Sequence, residues 1–110
     1  MAALGTLVLK EIAGTAIVAG TPPTVWDPVA GKRVRLMGGS LFATAATAAI
    51  LEYGAADTAL GVRIGLGANT PAVPLNLPPD GILVGAVDDV LKLDVSANAT
   101  IHGFLWGYEE

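Results

Sequence analysis

The chain has no cysteine, which excludes a disulfide framework and any thiolate metal centre. Its one histidine, His102, cannot by itself make up the usual zinc or transition-metal ligand sets. Charge is also scarce: Asp, Glu, Lys and Arg are 15% of the residues, against roughly 25% in ordinary soluble proteins. The net charge of -4 disfavours a nucleic-acid partner, because phosphates are neutralised by an excess of Lys and Arg. Long apolar runs are missing too. The uncharged stretch at residues 36–51 contains Gly38 and Gly39, is rich in Ala and Thr, and falls short of the roughly 20 strongly apolar residues that span a bilayer. The first positive charge, Lys10, is followed at once by Glu11, so no basic segment precedes the apolar N-terminal stretch and no secretory signal is expected.

What is present is apolar and heavily punctuated. A chain of 110 residues holds one core, and 53% of its residues are hydrophobic, so much apolar surface must meet something other than water. The 14 glycines and 7 prolines are spread throughout and separate short runs rich in Val, Ile, Leu and Thr, as in a chain of many strands. Strands are expected over residues 4–9, 15–19, 33–42, 47–53, 60–66, 72–77, 82–84, 90–95 and 99–108. Only the Ala-rich residues 42–51 carry a competing helical pattern. Thr21-Pro22-Pro23 and Leu77-Pro78-Pro79 cannot lie inside central strands, since proline has no N–H for the ladder, and Asp80-Gly81 reads as a turn. Eight or nine short strands with frequent turns make the expected architecture all-β, a sandwich or a barrel. It forms one domain overall, with residues 1–28 as an N-terminal strand or arm and residues 29–110 as the sandwich proper.

Period-two alternation assigns faces. Leu60, Val62, Ile64 and Leu66 point to the core while Arg63 points away, and Leu91, Leu93 and Val95 oppose Lys92 and Asp94. The last strand differs from the others. Ile101 and Leu105 take one face, and His102, Phe104, Trp106 and Tyr108 take the other, so both faces call for burial. An apolar second face on a sandwich strand marks a surface covered by a neighbour, which makes Phe104, Trp106, Tyr108 and His102 the candidate subunit interface.

Catalytic constellations are absent. His102 is the sole imidazole and no G-x-S-x-G motif accompanies it, so a packed interface histidine is favoured over a general base and no enzyme is expected. Asp88 and Asp89 could offer hard oxygen ligands to a weak metal site, yet their spacing matches no calcium loop and a solvated turn is favoured. Gly65-Leu66-Gly67 lacks the third glycine and the lysine of phosphate-binding loops, so no cofactor is expected. Glu109 and Glu110 read as a solvated chain end. Gly31-Lys32-Arg33-Val34-Arg35 is the one basic cluster. Arg33 and Arg35 share a strand face and are either solvated or a contact to acidic groups such as Glu52 or Asp94 of a neighbour or to an acidic lattice. Trp26, between two proline-containing turns, is a second candidate contact as an anchor for the arm.

Two segments, VAGKRVRLMGGSLFATAATAAILEYGA and PPDGILVGAVDDVLKLDVSANATIHGFLWGYEE, with the apolar residues 72–77 between them, follow one order. A basic and hydrophobic strand leads to an Ala/Thr-rich hairpin, a Gly/Pro turn, a strand pair and a closing strand. This order resembles that of small tailed-phage virion proteins with a jelly-roll fold, over residues 29–110. The resemblance implies a jelly-roll-like antiparallel β-sandwich of about eight strands and a capsid decoration or head-stabilisation protein, a homo-oligomer and by expectation a trimer. It would be made in the host cytoplasm and seated on the major capsid protein lattice of the virion exterior, with no nucleic acid, membrane or catalytic residue involved. The alternatives are a head-spike base, a tail-fibre domain, or a carbohydrate-binding β-sandwich module that stacks sugars on exposed aromatics.

Overall fold

A computed structural model describes residues 5–110. Among the described residues there is no helix, and nine strands form two antiparallel sheets. They are β1 (Thr6–Ile17), β2 (Thr24–Trp26), β3 (Val34–Ala43), β4 (Thr47–Tyr53), β5 (Thr58–Leu66), β6 (Val73–Pro74), β7 (Ile82–Val84), β8 (Leu91–Val95) and β9 (Ala99–Glu109). One sheet runs β1-β9-β3-β6 with β7 also on β3, and the other runs β2-β8-β4-β5. If β6 and β7 are counted as one interrupted strand, every connection but the β4–β5 hairpin crosses between the sheets. That is the winding of an eight-strand jelly roll.

The elements form where alternation demands burial. In β3, Val34, Leu36, Leu41 and Ala43 are buried, and in β4 so are Thr47, Ala49 and Leu51. This period of two also decides residues 42–51 against the helix that their alanine content suggested. They finish β3, bend at residues 44–46 and begin β4. Leu91, Leu93 and Val95 of β8 and Ile101 and Leu105 of β9 complete the core from opposite sheets.

The N-terminal region is not an arm outside the sandwich. Residues 4–9 and 15–19 were expected as separate strands; Leu4 lies outside the described residues, and Thr6–Ile17 is a single strand paired along the whole of β9. A bulge between Ala13 and Thr15 keeps the strand continuous, and Gly14 supplies the positive φ, 70°, that the bulge uses. Ile12 and Ile17 enter the core. Strand β2, unexpected between the two proline-containing turns, pairs with β8 and carries Trp26, 1% exposed, into the sandwich.

Candidate functional site

The register of the first sheet builds a continuous apolar surface on its outer side. Directly opposed residues of an antiparallel pair project to the same face. Tyr108, Trp106, Phe104 and His102 of β9 stand opposite Leu7, Leu9, Glu11 and Ala13 of β1. On the other flank the same four stand opposite Arg35, Gly38, Ser40 and Phe42 of β3. Leu7 and Leu9 are 64% and 66% exposed and Phe104 39%, while Trp106, Tyr108 and Phe42 are half-buried. Three strands thus display one uncovered apolar surface, with the aromatic row of β9 along its middle.

The row is ordered by its own packing. Trp106 and Tyr108 meet edge to face at 6.5 Å between ring centroids, and Phe42 and His102 do so at 5.8 Å. Gly38 leaves room for the indole: a β-carbon at that position would lie 2.7 Å from Trp106 Nε1. The surface carries little charge. Glu11 lies at its edge strand, and the Arg35 guanidinium is held by Glu110, Nε to Oε1 at 3.0 Å, while its Nη1 donates to the Asp80 carbonyl at 2.9 Å.

The other expected contact residues are placed differently. Trp26 cannot touch a lattice, because it is buried and its Nε1 donates to Glu109 Oε2 at 2.8 Å. Glu109 is correspondingly no solvated end. It is 6% exposed, its second oxygen accepts from the Val29 N–H at 3.3 Å, and the pair closes β2 against the end of β9. Arg33 lies just ahead of β3, half-buried, with Nε unpaired among the described residues. Arg35 is engaged within the chain rather than free for an acidic neighbour. Asp94 was a candidate acidic partner, but residues ahead of β2 cover it: the Gly20 N–H donates to Asp94 Oδ1 at 2.9 Å, and so does the N–H of Val95 at 2.8 Å.

Asp88 and Asp89 accept backbone N–H groups from Gly31 at 2.6 Å and Ala86 at 2.8 Å, so both carboxylates tie loops together. Among the described residues no group of three or more His, Asp or Glu side chains is placed to hold a metal ion. Glu52, on the outer side of the second sheet, has its carboxyl held above the ordinary range, first by desolvation and then by Asp94 and Asp57, with Lys92 opposing.

Leu7, Leu9 and Phe42 were missed as parts of this surface. The signal for the leucines was available, since Leu7, Leu9, Glu11 and Ala13 alternate along one face, but it becomes meaningful only once β1 is known to pair with β9. No family model, no curated protein and no solved structure matches this chain.

Proposed function

We propose that the chain is a structural, non-catalytic protein that works by assembling through the outer face of the β1-β9-β3 sheet. In this reading it serves as an oligomeric decoration and stabilisation protein of a phage capsid, with a trimer as the expected order. One observation carries the assembly role: Phe104, Trp106 and Tyr108 lie outside the chain's own core, in line with Leu7, Leu9 and Phe42. Exposing such a surface to water is costly, at about 25 cal/mol per Å² of apolar area, and burying it returns that free energy. A second copy is the favoured occupant on charge grounds. Copies with a net charge of -4 repel one another, and this is a face where they can meet with few unpaired charges, since Arg35 is neutralised by Glu110.

Strand geometry gives the patch a footprint of about 340 Å², taking seven residues of rise along three strands. A standard interface buries about 800 Å² per partner, so the free oligomer is expected to depend on concentration and to be reinforced by repetition over many copies. The capsid setting rests on the resemblance in segment order and is compatible with the jelly-roll winding.

Two measurements test the proposal. Sedimentation velocity of the purified chain should give an oligomer whose mass falls on Trp106→Asp, and equal masses for the two would refute assembly through this face. Co-sedimentation with expanded phage shells should show saturable binding. Assembly without binding to any shell would leave the oligomer and overturn the capsid role in favour of a spike or fibre.

A further inference from the structure

The two long edge strands of the sandwich are not equivalent. β1 ends one sheet and carries Lys10 on its inner side, between Val8 and Ile12, together with a bulge at Gly14. An inward charge and a bulge are both features that discourage a second strand from pairing. β5 ends the other sheet, and its inner positions Leu60, Val62, Ile64 and Leu66 are all apolar. Three of the four are only half-buried, because β5 and the short β6 and β7 leave the sandwich open on this side. The opening is a groove of about 540 Å³ in which the apolar Val62, Ile64, Leu77 and Ile82 are joined by the polar Arg63 and Asn76.

Gly65 adds an independent observation. Its φ is not in the left-handed region, and a β-carbon there would meet nothing within 4 Å, so no contact within the chain calls for glycine. A glycine inside a strand weakens it and often marks close approach by another group. Gly65 lies on the outer face beside the exposed Arg63. Gly61 differs, since its φ of 91° falls within the irregularity that interrupts the β4 pairing between Ala59 and Arg63.

We infer that the β5 edge pairs antiparallel with the β5 edge of a second copy, about a two-fold axis at Ile64. In this register Ile64 faces Ile64, Val62 faces Leu66, and each Arg63 faces the open space at Gly65 of the other copy. Centring the axis on Arg63 would instead set two guanidinium groups opposite each other, which is destabilising. The pairing joins the two second sheets into one of eight strands and covers both grooves with apolar side chains from the other copy. It uses neither the aromatic face nor its partner, so it stands or falls separately from the proposed function.

The test uses the full chain in a Trp106→Asp background, which removes the aromatic contact. Opposed residues of an antiparallel ladder lie about 4.5–5.5 Å apart at Cα, within disulfide range. Ile64→Cys should therefore give a covalent dimer on mild oxidation, whereas Ala59→Cys on the same strand should not. On the exposed face, where folding is not at stake, Gly65→Arg should weaken dimerisation at least tenfold in sedimentation equilibrium, and Arg63→Glu added to it should restore pairing. The inference is overturned if Ile64→Cys stays monomeric, if Gly65→Arg dimerises like its parent, or if the double variant is not rescued.

Discussion

The outer faces of the two sheets are built by one winding, yet they differ in chemistry. The β2-β8-β4-β5 face carries Glu52, Lys92 and Asp94, with Lys92 Nζ bonded to Asp57 Oδ1 at 2.6 Å. The β1-β9-β3 face carries Leu7, Leu9, Phe42, Phe104, Trp106 and Tyr108 at the equivalent outward positions. Fold stability cannot account for the difference, because both sheets already bury their inner faces in one core. An apolar outward face is explained by what covers it, whereas the polar face satisfies its own charges within the chain, Lys92 on Asp57 and Asp94 on the Gly20 N–H.

The comparison can be broken or sharpened by substitution. The largest effect is expected beneath both faces. Trp26→Ala should lower unfolding free energy by about 3–5 kcal/mol in denaturant titration, through the cavity and through loss of the indole donor to Glu109. Next, Leu7→Ser with Leu9→Ser should weaken assembly by roughly tenfold or more, given about 1.5–3 kcal/mol for burying each leucine fully, while leaving monomer stability nearly unchanged. On the polar face, Lys92→Ala should cost about 1 kcal/mol of stability and leave assembly untouched, as an ion pair with an exposed partner such as Asp57 contributes little.

The smallest effect is a pH dependence. Folding raises the pKa of Glu52, so the folded state holds that proton more tightly than the unfolded chain does. Stability is therefore lost as pH rises through the interval between the ordinary carboxylate value and the raised one. Glu52→Gln should be more stable than the parent at neutral pH, with the gap closing on acidification in thermal melts at several pH values. A gap that widened toward acid would reverse the assignment.

Much of this was legible in the sequence because alternation and punctuation act locally. Leu91, Leu93 and Val95 declare a strand face, and Pro78-Pro79-Asp80-Gly81 declares a break before β7. The aromatic row of β9 was likewise visible as a second apolar face. What was not legible depended on contacts distant along the chain. Trp26 looks exposed between prolines until β2 is seen to pair with β8, and Glu109 looks solvated until Trp26 is found against it. Asp94 obeys its outward alternation and is buried all the same, because the chain ahead of β2 folds over it.

The most direct measurement is sedimentation velocity of the wild-type chain beside Trp106→Asp at matched concentrations, with circular dichroism to establish that both are folded. Assembly through the aromatic face requires the wild type to sediment as a larger species and the variant to lose mass. A folded wild type that sediments the same as the variant at every concentration would contradict it.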